Sequence, residues 1–225
     1  MNTAIIVAAG SGTRFGGARP KQFLEIGGQP LLIHTLEKFE NCGAIDEMIL
    51  VLSAGEIANF QTVAEKFKLA KLKKIIAGGV TRAESVFNGL NAIEDNAAEI
   101  VAVHDGARPF VSCEEITATL EKARETGAAC LTALVTDTIK EVADGKIVQT
   151  IERTKLRRAL TPQAFRIEIL QKAFANADLS EAATDECYLV EKLGYEISVV
   201  EGSAKNIKIT TREDWQLAEI LLRNN

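Results

Sequence analysis

Ala4-Ile5-Ile6-Val7-Ala8-Ala9-Gly10-Ser11-Gly12-Thr13-Arg14-Phe15-Gly16-Gly17-Ala18-Arg19-Pro20-Lys21-Gln22 carries an apolar, β-branched run straight into a glycine-rich one. An uninterrupted apolar run of this length reads as a strand covered on both faces. Four more such runs follow: Met48-Ile49-Leu50-Val51-Leu52, Ile75-Ile76-Ala77, Ile100-Val101-Ala102-Val103 and Cys130-Leu131-Thr132-Ala133-Leu134-Val135. Helical periodicity occupies about 30–40, 56–68, 82–95 and 113–126 between them. Two of those stretches open with capping boxes, Thr81-x-x-Glu84 and Ser112-x-x-Glu115. This alternation predicts an α/β fold with a mainly parallel sheet.

The alternation breaks once. Ile139-Lys140-Glu141-Val142-Ala143 and Lys146-Ile147-Val148-Gln149-Thr150-Ile151 flank Asp144-Gly145, a strong signal for a tight hairpin. Little sequence surrounds it to cover two faces, so it reads as an arm of about 137–160. An arm calls for a neighbour, and a homodimer is expected. Helices near 166–177 and 185–193, a strand at 197–201 and a closing helix at 212–222 complete the chain. No linker, repeat or low-complexity segment intervenes, so residues 1–225 are expected to form one domain.

Composition narrows the functional classes. The 225 residues are 47% hydrophobic and 25% charged, the proportions of a globular protein. With 26 Lys plus Arg against 31 Asp plus Glu, the net charge of −5 argues against a protein-wide face for duplex nucleic acid. No apolar run approaches the roughly 18 residues needed to cross a bilayer. No basic region precedes the first strand, so no signal peptide is expected. Cys42, Cys113, Cys130 and Cys187 lack any metal-ligand spacing and read as reduced thiols of a cytoplasmic protein.

The glycine-rich stretch excludes two common nucleotide loops. There is no GxxxxGK followed by Ser or Thr. Phe15 stands where a dinucleotide loop needs a small residue, and Ser53-Ala54-Gly55 stands where it needs an acid. Glycines nevertheless let backbone N–H groups approach phosphate closely. Arg14, Arg19 and Lys21 crowd the same stretch with no Asp or Glu before Glu25, so an anion is expected there. His104, ending a strand, reads as a packed and hydrogen-bonded ring rather than an acid–base catalyst, and His34 as an ordinary helix residue.

Ala8-Ala9-Gly10-x-Gly12-x-Arg14 followed by Pro20-Lys21-Gln22 resembles the nucleotide-binding signature of sugar- and polyol-phosphate nucleotidyltransferases. Six further strings, in order along nearly the whole chain, resemble the polyol-phosphate cytidylyltransferases, and among them the branch acting on 2-C-methyl-D-erythritol 4-phosphate. They are Gly78-Gly79-x-x-Arg82-x-x-Ser85, Val103-His104-Asp105-Gly106-Ala107-Arg108-Pro109, Asp137-Thr138, Thr161-Pro162-Gln163, Thr184-Asp185-Glu186 and Asn206-Ile207-Lys208-Ile209-Thr210.

The resemblance implies a three-layer, Rossmann-like nucleotide-diphospho-sugar transferase fold with an inserted hairpin arm. It implies transfer of CMP from CTP to 2-C-methyl-D-erythritol 4-phosphate, giving 4-diphosphocytidyl-2-C-methyl-D-erythritol and pyrophosphate. Both reactants are polyanions, so fixed cations and Mg²⁺ are expected to carry the catalysis. By resemblance Arg14 and Lys21 stabilise the transition state, and Ala8, Ala9, Gly10, Gly12, Gly79, Val80, Ser85 and Asp105 hold the nucleotide. Contact at Val80 would come from its backbone. Asp105, Arg108, Thr138, Arg153, Thr161, Thr184 and Lys208 are expected to hold the polyol phosphate, with Arg153 and Lys208 also catalytic. The arm would carry Thr138 and Arg153 to the neighbouring subunit's site. Asp105 is the one candidate metal ligand; Ala107 replaces a second acid, so the phosphates would supply most ligands. Arg19 has no counterpart and is left outside the site. Lys155, Arg157 and Arg158 allow a plain solvated basic stretch around Arg153. Two other readings share the scaffold: a ribitol 5-phosphate cytidylyltransferase, disfavoured by Ala107-Arg108-Pro109, and a noncatalytic nucleotide-binding module, disfavoured by Arg14 and Lys21.

Overall fold

A computed structural model describes residues 1–10, 15, 20–94, 98–178 and 185–223. The first half runs β1 (Asn2–Ala8), β2 (Glu25–Ile26), β3 (Gln29–Pro30), α1 (Leu31–Glu40), β4 (Glu47–Leu52), α2 (Ile57–Ala64), β5 (Leu72–Ala77), α3 (Arg82–Asn91) and β6 (Ile100–Asp105). The second half continues with α4 (Cys113–Thr126), β7 (Ala128–Leu134), β8 (Ile139–Ala143), β9 (Lys146–Ile151), β10 (Arg157–Arg166), α5 (Ile167–Ala175), α6 (Glu186–Lys192), β11 (Ser198–Glu201) and α7 (Arg212–Arg223).

Seven strands form one sheet in the order β11-β7-β10-β6-β1-β4-β5. All pairings are parallel except those of β10, which runs antiparallel to both β6 and β7. Side chains alternate between two cores because successive residues of a strand point to opposite faces. Ala4, Ile6, Ala8, Leu50 and Ala102 meet Leu36 and Phe39 of α1, Phe60 of α2 and Leu120 of α4. Ile5, Val51, Val101 and Val103 meet Val86 of α3, Leu170 and Phe174 of α5 and Val190 of α6. The result is the expected three-layer α/β arrangement. Both predicted capping boxes form, at the starts of α3 and α4.

Three expectations are corrected. β5 is an edge strand and is only partly covered, because no further strand among the described residues lies beyond it. β10 has no counterpart in the strands read from the sequence, and it takes residues 157–160 out of the expected arm and into the main sheet. Pro162 hid it, since proline is a poor central-strand residue. Here Pro162 sits where the register with β7 shifts, between Ala159 and Gln163, so its missing N–H costs no ladder bond.

The hairpin forms as expected. β8 and β9 make their own two-stranded sheet, and its turn has φ of 49° at Asp144 and 73° at Gly145. Positive φ at both central residues is what a tight hairpin turn requires. Val142, Ile147 and Val148 are 60%, 65% and 58% exposed on it.

Candidate active site

The chain leaves β1 for β4 and β5 on one side, then returns to β6 on the other, so the order reverses between β1 and β6. In open α/β sheets such a reversal leaves a crevice at the carboxyl ends of the strands. A cleft of about 290 Å³ lies there, lined by Ala8, Ala9, Gly10, Lys21, Gln22, Gly79, Val80, Arg82, Ser85, Asp105 and Lys208 among others.

Its walls stand close for a reason. A Cβ at Gly78 would lie 2.5 Å from the Ala9 Cβ and 2.7 Å from the Ser85 hydroxyl, so only glycine lets the β5 turn approach β1. Gln22 ties the far end of the glycine-rich stretch back to β1. Its side-chain amide donates to the carbonyls of Ala8 at 2.9 Å and Gly10 at 3.2 Å. Lys21, just after Pro20, is thereby placed in the cleft at the start of a short 3-10 turn.

Asp105, at the end of β6, is the electrostatic centre. Its Oδ1 accepts from Arg82 Nε at 3.1 Å, and its Oδ2 lies 2.9 Å from Lys208 Nζ and 3.4 Å from Arg108 Nε. Burial alone would raise its pKa, but Arg82, Lys208 and Arg108 outweigh that and hold the carboxyl well below the usual range. Arg82 also reaches the fully buried Glu186 at 2.5 Å. Burial raises the Glu186 pKa, with the Arg82 charge opposing it.

Several of the expected contact residues are engaged in hydrogen bonds within the protein. Thr161 is buried; its hydroxyl accepts the Asp105 N–H at 3.1 Å and lies 3.0 Å from His104 Nδ1. His104 Nε2 lies 3.0 Å from the Arg108 carbonyl, which can only accept. The ring is therefore the Nε2–H tautomer, taking the Thr161 proton at Nδ1. Burial pushes its pKa down to about 4, and the packed reading of His104 stands. Arg108 does not line the cleft; it donates to the Asn206 carbonyl at 2.8 Å. Ser85 is 2% exposed; its hydroxyl donates to the Thr81 carbonyl and accepts the Gly79 N–H. The Val80 side chain is 97% exposed and its N–H is already taken by Glu84, so the expected backbone donor there is spent. Thr138 is exposed at the foot of the hairpin. Arg153 donates to the Thr136 carbonyl, and neither residue lines the cleft. Gly12, Arg14 and Thr184 lie outside the described residues.

A sequence model of the family described as IspD, 2-C-methyl-D-erythritol 4-phosphate cytidylyltransferase, matches residues 2–224. The chain belongs to that family. The 2-C-methyl-D-erythritol 4-phosphate cytidylyltransferase of Alkaliphilus metalliredigens is 44% identical over 223 residues, covering 98% of this chain and 92% of its own. A crystal structure of 4-diphosphocytidyl-2C-methyl-D-erythritol synthase from Anaerococcus prevotii matches with a TM-score of 0.86 at 32% identity, covering 99% of this chain and 96% of that one. The 2-C-methyl-D-erythritol 4-phosphate cytidylyltransferase structure from Thermus thermophilus gives 0.78 at 34%, covering 97% and 98%. Membership makes the chain a nucleotidyltransferase enzyme, and it favours the erythritol branch over the ribitol one.

In this cytidylyltransferase, four supports were missed by sequence reading as individual residues. Arg82, Gln22, Gln163 and Glu186 all sat inside the quoted strings without a role. Gln163 of β10 donates to Asp185 at 2.9 Å and accepts the Cys187 N–H at 3.1 Å, which seats the start of α6. That seat puts Glu186 beside Arg82. The signal was present as charge type, but only the fold supplies the pairing.

The donor set does not fit a divalent ion held by the protein. Among the described residues no three His, Cys, Asp or Glu side chains gather as a metal-holding group. Both Asp105 oxygens already face cations. An ion there would have to displace Arg82 or Lys208, so the expected Asp105 ligand is withdrawn.

Proposed function

We propose that the cleft binds CTP against Ala8–Gly10 and Gly79, and transfers its CMP group to 2-C-methyl-D-erythritol 4-phosphate. The observation that carries this reading is the convergence of Lys21, Arg82 and Lys208 on one crevice of a net-negative chain. An ionised phosphate oxygen of the polyol attacks the α-phosphorus of CTP. The new O–Pα bond forms as the bond from Pα to the pyrophosphate oxygen breaks, and pyrophosphate leaves with the electron pair. The nucleophile is already an anion near neutral pH, so no general base is required. This agrees with a His104 that is buried and spent on structure.

Lys21, with Arg14 as the expected second cation, counters charge building on the α-phosphate. Lys208 meets the incoming phosphate, and Asp105 holds Lys208 and Arg82 in place while accepting from sugar or polyol hydroxyls. Arg108 and Thr161 act one layer behind, fixing Asp105. Magnesium, implied by the resemblance, would ride on the triphosphate oxygens. The exposed hairpin with Thr138 and Arg153 at its foot fits an arm that reaches a second copy, making the working unit a homodimer. One sheet collects strands from residue 2 to residue 201, which favours a single domain. Four free thiols favour a reducing, cytoplasmic setting; among the described residues no helix is long and apolar enough to cross a membrane.

The test is an assay of pyrophosphate release with CTP and each polyol phosphate. Turnover is expected with 2-C-methyl-D-erythritol 4-phosphate and CTP. Equal turnover with ribitol 5-phosphate, or with ATP in place of CTP, would overturn the reading.

A further inference from the structure

Residues 202–211 carry β11 into α7 with no helix or strand of their own, yet they deliver Lys208 to the cleft. A side chain borne on such a segment is only as well placed as the ties that hold its backbone. One tie follows Lys208, where the Ile209 N–H donates to the Ala107 carbonyl at 2.9 Å. The tie before it is Asn206. This residue is 0% exposed, although the transfer chemistry gives it no task. Its Nδ2 donates to the Thr161 carbonyl at 2.9 Å, and its own carbonyl accepts from Arg108 Nη1 at 2.8 Å.

The Thr161 carbonyl is an acceptor that the sheet leaves over. Thr161 lies between Ala159 and Gln163, where the register of β10 with β7 shifts, and it has no described pairing with β6 or β7. A buried carbonyl at a break in the ladder needs a donor from elsewhere, and Asn206 supplies it. Because a carbonyl can only accept, the amide nitrogen of Asn206 faces β10. Its Oδ1 then has no partner among the described residues. An amide buried with half its capacity unused is a poor packing group. What it provides is a fixed separation between β10 and the backbone two residues before Lys208.

Thr161 also holds the carboxylate that Lys208 meets. Its hydroxyl accepts the Asp105 N–H at 3.1 Å, and Asp105 Oδ2 lies 2.9 Å from Lys208 Nζ. One residue of β10 therefore references both members of that pair, Asp105 through its hydroxyl and the Lys208 segment through its carbonyl.

We infer that Asn206 is a positioning residue for the polyol phosphate: its amide holds the Lys208 segment against Thr161, so that the ammonium stands where the incoming phosphate arrives. The inference deepens the proposed reading of the cleft and rests on the role given there to Lys208. Asn206 itself touches no reacting atom.

The test is steady-state kinetics with CTP and 2-C-methyl-D-erythritol 4-phosphate, with a melting curve for each variant. The variants are Asn206→Ala, Asn206→Leu, Asn206→Ser, Lys208→Ala and Asn206→Ala/Lys208→Ala. Asn206→Leu keeps most of the bulk while removing the donor, and Asn206→Ser is the mildest change. In the folded Asn206 variants KM for the polyol phosphate is expected to rise by about 3- to 10-fold, the scale of one hydrogen bond. KM for CTP should stay near the parental value. Asn206→Ala should add nothing to the rise seen in Lys208→Ala, because an absent ammonium needs no placing. Parental KM for the polyol phosphate in a folded variant, equal rises for both substrates, or additive losses in the double variant would overturn the inference. Failure of all three Asn206 variants to fold would overturn it too, by making Asn206 a residue of the fold alone. Parental KM for the polyol phosphate in Lys208→Ala would instead fault the role of Lys208, and with it the reading on which the inference rests.

Discussion

Arg82 Nη1 lies 2.5 Å from Glu186 Oε1, joining α3 to α6 across a separation of 104 residues. The same guanidinium reaches Asp105 through Nε, so one side chain bridges two buried carboxylates at the floor of the cleft. Arg82 keeps about a quarter of its side chain in solvent (26%), while Glu186 keeps almost none. The arginine is thus held from beneath and open above, as a group that meets an anionic ligand must be. Among the described residues Glu186 Oε2 has no hydrogen-bond partner, and Arg82 is the cation that meets the carboxylate.

Removing the arginine separates stability from activity. Arg82→Met should destabilise the fold by roughly 2 to 4 kcal/mol, near the low end for a broken buried pair because Arg82 is partly solvated. Adding Glu186→Gln removes the stranded charge and should recover most of that loss, measured by urea denaturation. Activity should recover in neither variant. A double variant as active as the parent would show that Arg82 serves the fold alone.

Lys21 is the described cation whose proposed role grows as charge develops on the α-phosphate. Lys21→Ala should lower kcat by about two to three orders of magnitude, the effect of losing one electrostatic stabiliser. KM for CTP should change far less, since backbone groups and the other cations still bind the ground state. A large rise in KM with unchanged kcat would make Lys21 a binding residue only.

His104 sets a pH dependence of stability. Its folded pKa of about 4 lies below the ordinary 6.5. The unfolded chain therefore binds a proton between those values that the folded chain does not. Stability from this group is complete above pH 6.5 and is lost as pH falls toward 4, by roughly 3 kcal/mol. Glu186 works in the opposite sense: its raised pKa gives stability at low pH that is lost as pH rises through the folded value. His104→Gln can donate to the Arg108 carbonyl and accept from Thr161 without titrating. Its stability should fall less than the parent's between pH 7 and pH 4, read from urea midpoints. Parallel curves would show that His104 is not the titrating group.

The arm predicts complementation. Arg153→Ala and Lys21→Ala are each expected to be inactive. If Arg153 serves the partner's cleft, a mixed dimer carries one site with both defects and one with neither. About half the parental activity per mixed dimer should return after subunit exchange. Demonstrated exchange without recovery would place Arg153 in its own chain's site.

Local chemistry made much of this molecule legible in advance. The apolar runs gave β1, β4 and β6, the capping boxes gave α3 and α4, and Asp144-Gly145 gave the hairpin. Ala8, Gly10, Lys21, Gly79, Asp105 and Lys208 meet in one cleft because each follows a strand or turn that the sheet brings to a common edge. What tertiary structure alone decided was the pairing. β10 was invisible because Pro162 contradicts a central strand unless the register breaks there, and register is a property of three strands together. The tasks of Thr161, Ser85 and Gln163 turned on the same point. A hydroxyl or amide can bind a ligand or hold a backbone, and the choice depends on which unsatisfied group the fold places within hydrogen-bonding reach of it. Sequence states which groups a residue offers; only the packed chain determines which of them are already taken.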